Sequence, residues 1–367
     1  MRRGLTGMWR FGSFRSERSG TRQDLSLRLG GPRRIRNREA ATKIPRCAGL
    51  AFPALDTCIQ AAYERLGSMK GYFAIVNPAA GGGRCGRIAA KTLDYLRTQG
   101  IEIEAVQTRG AGEATVLARE AYAGGYRNFL AGGGDGTSYE VINGLFPLAG
   151  GQPKPALGFL PLGTGNSFLR DFTSNGLNHA LEAIVTGRSR PCDVLRLTHR
   201  DGMLYYINLL SVGFTAEAGE LTNRRFKRFG EAGYLLAILL CWMRLHFPVF
   251  PLRLDGANEL DQRPCTYLTF SNSQYTGGQL MIAPSADTAD GLIEMTRVGP
   301  IGRWDFARTF PKIFTGAHMT HPLVSRTATR RVDFELSALI DVMIDGEVLR
   351  CQPVSIELLP LALDVIV

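Results

Sequence analysis

From Gly71 onward the apolar positions follow two periods in turn. Tyr72–Val76 is a short, continuously apolar run that predicts a buried strand, and Ile88, Ala89, Leu93 and Leu96 then recur at helical spacing until Gly100 stops them. Residues 101–106 alternate as a half-buried strand, 113–123 read as a helix closed by Gly124-Gly125, and 128–131 form another apolar run. A helix over 138–145 leads to the strand 156–160. Strand–helix alternation with short links predicts a parallel sheet covered by helices.

After about Asp193 the rhythm changes. Runs at 194–198, 205–210, 250–254, 266–270, 292–296, 331–336 and 342–344 read as strands, and most have only turns between them. That pattern predicts an antiparallel β domain. The order expected from the pattern is an α/β domain followed by a β-rich domain.

The first 68 residues share neither period. They are rich in Arg, Ser and Gly, and three readings stand: an organellar transit segment, a disordered basic arm, or sequence upstream of a start at Met69. They also account for the charge. The chain of 367 residues carries a net charge of +10, and residues 1–46 hold 12 Arg and one Lys against three acids. The remainder is neutral, so the charge argument for a nucleic-acid partner disappears. Seven scattered cysteines without a CxxC pair argue against a disulfide framework or a zinc site and fit a reducing, cytoplasmic setting. His318 and His321 read as a loop pair. The apolar run Tyr234–Met243 has ten residues where a membrane span needs about twenty, so no transmembrane segment is expected.

The candidate chemistry lies in three glycine loops, Asn77–Gly83, Gly132–Thr137 and Leu162–Ser167, each after a predicted parallel strand. Ligands of open α/β sheets gather at that edge. Glycines there let backbone approach a phosphate, and the helices that follow offer free N–H groups. No GxxxxGK[ST] loop is present. Gly81–Gly86 fits GxGxxG without an acid about twenty residues on, a poor basis for hydride transfer. Asp135 stands among four glycines, where a carboxylate facing a polyphosphate needs a cation between them; this suggests Mg²⁺ positioning or proton transfer. An N-cap carboxylate is the plainer alternative.

Residues 76–83 (VNPAAGGG), 133–137 (GGDGT) and 161–166 (PLGTGN) together resemble the diacylglycerol kinase catalytic-domain superfamily. They are most like soluble bacterial lipid kinases, relatives of sphingosine and ceramide kinases. Arg224–Gly230, Ala283–Leu292 and Ile344–Glu347 continue the likeness, which runs from about Met69 to the C-terminus. The resemblance implies an ATP-binding α/β domain like those of NAD kinases and phosphofructokinases, formed by 69–192 with 350–367 returning to it. The fold class implied is thus an N-terminal three-layer α/β domain followed by a C-terminal β-sandwich, with residues 193–349 as the lipid-substrate sandwich.

It also implies residue roles. Asn77, Pro78 and Gly81 of the first loop, with Gly132, Gly133, Gly134, Asp135, Gly136, Thr137 and Ser138, would hold the ATP phosphates; Thr108, Thr164 and Asn166 would add nucleotide contacts. Glu347 would accept the proton of the lipid hydroxyl, beside Asp345, and Asp287, Asp290 and Leu292 would bind Mg²⁺. Without the other motifs, Asp345-Gly346 and Asp290-Gly291 would read as ordinary turns. Many relatives have Asp where this chain has Ser167, with Asp171 the next acid.

The partner expected is a lipid at a membrane surface, with a homodimer left open. Arg224, Arg225, Lys227 and Arg228, interleaved with Phe226 and Phe229 ahead of the apolar run, suit either peripheral association with an anionic interface or the solvated start of a core helix. An NAD kinase-like enzyme and a catalytically weak nucleotide-binding regulator are the rival readings.

Overall fold

The computed structural model describes residues 71–146, 148–150, 154–226 and 230–367. The basic tail, and Lys227, Arg228 and Phe229 of the cationic run, lie outside the described residues.

Strands β1 (Tyr72–Val76), β2 (Ile103–Gln107), β3 (Asn128–Gly133) and β4 (Ala156–Pro161) lie parallel in the order β2-β1-β3-β4. Helices α1 (Arg84–Thr98), α2 (Glu113–Ala123), α3 (Asp135–Leu145) and α4 (Leu177–Thr186) cover the sheet. Ala114 and Ala118 of α2 and Val141, Ile142 and Leu145 of α3 share one core with Phe73 and Phe129. Cys85, Ala89, Leu93 and Leu96 of α1 pack with Ala183 and Ile184 of α4 around Leu130 and Leu160 in another. The alternation of the strands explains this: Phe129 and Leu130 are neighbours in β3 and face opposite layers.

The second half contributes β5 (Ser189–His199), β6 (Gly202–Tyr206), β7 (Leu209–Gly213), α5 (Phe214–Leu221), α6 (Gly230–Met243) and β8 (Leu252–Leu254). They are followed by β9 (Tyr267–Ser271), the small hairpin β10 (Tyr275–Thr276) and β11 (Leu280–Met281), then β12 (Ile293–Val298) and α7 (Arg303–Thr309). The chain ends with β13 (Val324–Thr329), β14 (Arg331–Phe334), β15 (Ile340–Ile344), β16 (Glu347–Cys351) and the long β17 (Pro353–Ile366). An antiparallel six-stranded sheet, β13-β12-β9-β7-β15-β16, faces an antiparallel extension of the first sheet. Between them lies a core of Leu210, Val212, Leu268, Phe270, Val342 and Ile344 against Leu195, Leu197, Tyr206 and Ile356. The molecule is an α/β layer joined to a β-sandwich.

The join is one ribbon. β17 runs parallel to β4 at Asp364–Ile366 and antiparallel to β14 at Ser355–Glu357, while β5 pairs with it along nearly its whole length. A register break between Leu359 and Leu363 bends the ribbon, with Leu361 at φ 49°. Asp193 of β5 fixes the bend: it accepts from the Leu361 N–H at 2.7 Å and the Gly291 N–H at 2.8 Å. The sequence boundary at 192/193 lies inside β5.

One predicted strand is two. The apolar run 205–210 divides into the end of β6 and the start of β7, which belong to different sheets. The break falls at Ile207 and Asn208, whose N–H groups, with that of Leu209, are taken by the Asp345 carboxylate at 2.9–3.3 Å. A distant acid outcompetes the local strand pattern.

Candidate active site

The three glycine loops meet. Gly163 N–H donates to the Gly133 carbonyl at 2.7 Å, and a Cβ on Gly163 would stand 2.6 Å from Gly134 Cα. Gly81, at φ 61°, leaves no space either; its Cβ would meet the Leu162 carbonyl at 2.9 Å. Glycine is required here by backbone-on-backbone contact. The loops border a cleft of about 690 Å³.

Asn77, Pro78, Gly81, Thr108, Gly134, Asp135, Gly136, Thr137 and Thr164 all line this cleft. Asn77 Oδ1 accepts from the Ala79 N–H at 3.1 Å, an Asx turn that shapes the first loop. Thr108 N–H bonds the Val76 carbonyl at 2.9 Å, which fixes the end of β2 beside β1. Gly132 and Gly133 are buried at the end of β3, Ser138 is buried in the first turn of α3, and Asn166 sits behind the loops at φ 49°.

Helix α3 begins at Asp135, three residues before the predicted start, and its N-cap is Gly134. Asp135 is not a cap. Both of its oxygens accept from the Ser167 N–H at 2.8 and 2.9 Å, so the carboxylate ties the second loop to the third. Burial pushes its pKa up, and the Ser167 hydrogen bonds oppose that shift. Ser167 also reaches the sandwich, its hydroxyl accepting from the Gly278 N–H at 2.8 Å.

The acidic hairpin between β15 and β16 enters the cleft from the sandwich side. Asp345 (φ 48°) and Gly346 (φ 91°) form the two-residue turn, the geometry that Asp-Gly favours. Glu347 is exposed, and its carboxylate lies over Gly136: a Cβ there would stand 2.7 Å from Oε1. Asp345 is buried and turned inward onto the 207–209 backbone. Burial, with a smaller contribution from the Asp135 charge, raises its pKa to about 7 against the three N–H donors.

Asp287, Asp290 and Leu292 stand apart, in a turn that does not line the cleft. Asp287 Oδ1 accepts from the Ala289 N–H and Asp290 Oδ1 from the Leu292 N–H, at 3.0 and 2.9 Å. Each carboxylate keeps one oxygen for another partner. Among the described residues no cluster of three or more His, Cys, Asp or Glu forms a metal cage. The turn is acidic nonetheless: Asp287 and Asp290 help raise the pKa of buried Asp193, and Asp287 that of Asp171.

Asp171 gives a pH prediction. Its Oδ2 accepts from the Gln274 N–H at 2.9 Å, Oδ1 is buried without a partner, and burial raises its pKa to about 7. A carboxyl raised from about 3.9 stabilises the fold while protonated, and that contribution is lost progressively between about pH 4 and about pH 7. The loss is on the order of 4 kcal/mol. Asp171→Asn keeps an acceptor for the amide and cannot ionise. Its urea midpoint, measured in EDTA, should fall less between pH 5 and pH 8 than the parent's; equal falls would refute the assignment.

Sequence reasoning missed several cleft residues. Asn208, Thr276 and Gly277 line it, and Ser273 donates a hydrogen bond to Asn208 Oδ1. They come from a strand junction and a hairpin with no motif of their own. Glu140 was missed as well; its carboxylate receives the Gly112 and Ala114 N–H groups at 2.8 and 3.1 Å, securing the loop after β2.

An apolar cavity of about 270 Å³ adjoins the cleft and shares Thr276, Gly277 and Gly346 with it. Its floor is the outer face of the six-stranded sheet, at Leu209, Tyr267 and Met343. Its walls are Phe214 and Gly219 of α5, Ile238 of α6, and Phe306, Phe310 and Ile313 from α7 and the turn after it.

A glycine-lined cleft with an acidic tip, opening beside an apolar cavity, has the parts that a phosphotransferase with an apolar acceptor needs. Comparison with known proteins agrees. Residues 71–197 match the diacylglycerol kinase catalytic domain, and 208–367 match the YegS C-terminal NAD kinase beta sandwich-like domain. A diacylglycerol kinase of Mycobacterium tuberculosis is 31% identical over 296 residues, 80% of this chain and 94% of that protein. A diacylglycerol kinase of Bacillus subtilis is 27% identical over 276 residues, 74% and 88% of the two chains. The fold is that of a putative diacylglycerol kinase from Bacillus anthracis, with TM-score 0.65, 22% identity, and coverage of 81% of this chain and 95% of that one. The chain belongs to the diacylglycerol kinase catalytic-domain family and is a lipid kinase.

Proposed function

We propose that this enzyme transfers the γ-phosphate of ATP to the free hydroxyl of diacylglycerol or a closely related lipid alcohol. The observation that carries the reading is the apolar cavity abutting the glycine cleft and sharing the Gly346 hairpin with it. A dinucleotide acceptor has no use for such a cavity.

In this reading the three loops cradle the nucleotide phosphates with backbone N–H groups, and Asn77 and Thr108 hold the loop edges. Glu347 takes the hydroxyl proton as the lipid oxygen bonds to the γ-phosphorus and the bond to the ADP oxygen breaks. Asp345 is a positioning residue: it holds the hairpin tip to the β6–β7 junction. The Asp135 carboxylate, which lines the cleft between the glycine loops, fits Mg²⁺ that arrives with ATP, since such an ion takes one or two carboxylates and keeps waters. When bound, Mg²⁺ would neutralise charge on the transferred phosphoryl group. The free oxygens of Asp287 and Asp290, with the Leu292 backbone, are the candidate for a second ion.

The purified protein should label a lipid when given γ-labelled ATP, Mg²⁺ and total lipid extract, with NAD in a parallel tube. A phosphatidic acid-type product supports the reading. Label on NAD, or on nothing, overturns it.

No helix among the described residues is long and apolar enough to cross a membrane, and in this reading the lipid is met at the bilayer surface. One face suits that task. Leu236, Leu239 and Met243 of α6 are exposed, as are Phe314 and Trp304, the last at 73%. Trp242 meets Trp304 edge-on at 5.9 Å, beside a groove whose lining residues Ile238, Phe306 and Phe310 also line the inner cavity. Between Arg303 and Thr315 stand three cations and the single acid Asp305. An apolar face with cations beside it fits an anionic interface. Trp304→Ser combined with Leu239→Ser should weaken binding to phosphatidylglycerol vesicles about tenfold in a sedimentation assay. Unchanged binding would place the docking face elsewhere.

A further inference from the structure

The floor and wall of the apolar cavity carry polar atoms that an alkyl chain does not need. Met343, Ser211, Thr269 and Thr296 stand side by side across β15, β7, β9 and β12. The three hydroxyl residues are fully buried, and none of their hydroxyl oxygens has a hydrogen-bond partner. Ser211 reaches the cavity itself. So does Thr215 in the first turn of α5, whose buried Oγ1 also has no partner. Buried hydroxyls are ordinarily satisfied, and two left open in one cavity call for a partner that the protein itself does not supply.

Their depth indicates which atom. The Leu209 N–H bonds Asp345 at 2.9 Å, at the foot of the hairpin that carries Glu347. Ser211 lies two residues further along the same face of β7, a step of about 6–7 Å. In a glycerolipid the nearest ester carbonyl carbon is four bonds from the free hydroxyl, so the ester enters the cavity ahead of the acyl chain. A carbonyl oxygen only accepts, and Ser and Thr hydroxyls can donate. In a single-chain alcohol, methylenes would occupy this depth and leave both hydroxyls unsatisfied.

We propose that Ser211 and Thr215 donate hydrogen bonds to an ester carbonyl of the acceptor, so that the enzyme selects diacyl over dialkyl glycerolipids. This rests on the lipid-kinase reading of the cavity.

The test compares 1,2-dioctanoylglycerol with 1,2-dioctylglycerol, its ether counterpart, in identical mixed micelles. The parent enzyme is expected to favour the ester about tenfold in kcat/KM. In Ser211→Ala and in Thr215→Val that ratio should fall, and in the double variant approach about twofold. Both substitutions remove an unpartnered oxygen and preserve most of the side-chain volume, and the ratio is internal to each variant, so altered yield or stability does not mimic the result. A parent ratio near one, or a ratio unmoved by the double variant, overturns the assignment while leaving the kinase reading intact. Phosphorylation of neither lipid refutes the diacylglycerol-type acceptor and the assignment with it.

Discussion

Replacing Glu347 by Gln is expected to lower kcat for lipid phosphorylation by about three orders of magnitude, with ATP affinity within a few-fold of the parent. Glu347 is exposed at the hairpin tip, so its substitution leaves no buried group unpaired. Gln has nearly the same shape and can keep the position over Gly136. What it lacks is the ability to accept the hydroxyl proton as the new bond to phosphorus forms. General-base removal typically costs about a hundred- to ten-thousand-fold. Steady-state turnover and ATP titration by fluorescence separate the two effects. Turnover within tenfold of the parent would show that the proton leaves by another route.

Much of this site is legible in the sequence because its chemistry is local. A glycine loop after a strand is one continuous segment, and its contact with a phosphate uses backbone that only glycine allows. Gly81, Gly134 and Gly163 could therefore be read singly, and the structure brings them into contact. Asp345-Gly346 announces a turn for the same reason. What could not be read is where side chains go once segments distant in sequence meet. Asp345 looks like half of an acidic pair, yet its carboxylate serves a backbone junction more than 130 residues upstream. The apolar run 205–210 has no local mark of the break that this acid imposes.

The apolar cavity was invisible for a related reason. Its lining comes from β7, α5, α6, β9, β10, β11, α7, β15 and β16, and each contributes one to three residues with no shared spacing. The helix Gly230–Met243 left core and interface both open as sequence, since an apolar helix can face either. In the structure it does some of each: Ala237 is buried and Ile238 lines the cavity, while Leu236, Leu239 and Met243 remain exposed. The Ser167 departure also changes meaning. Its N–H holds Asp135, and its hydroxyl holds Gly278. A small hydroxyl can bridge the two halves there without adding a charge next to a buried carboxylate.

Asp135→Asn is the second large effect expected. Asp135 has two separable roles, because its oxygens receive the Ser167 N–H and its charge faces the cleft. Asn retains one acceptor oxygen for Ser167 and removes the charge. Burial opposes ionisation at this position, so the neutral amide should hold stability level or raise it slightly. Activity should move the other way, falling about a hundred- to ten-thousand-fold, because the charge that would position Mg²⁺ with the phosphates is gone. Asp135→Ala adds loss of the Ser167 bond and should be equally inactive and less stable by about 1–3 kcal/mol. Melting temperature and turnover, measured on both variants, separate the charge from the tie. If Asn restores turnover and Ala does not, Asp135 acts only as a brace between loops, and the cation must be held by other groups.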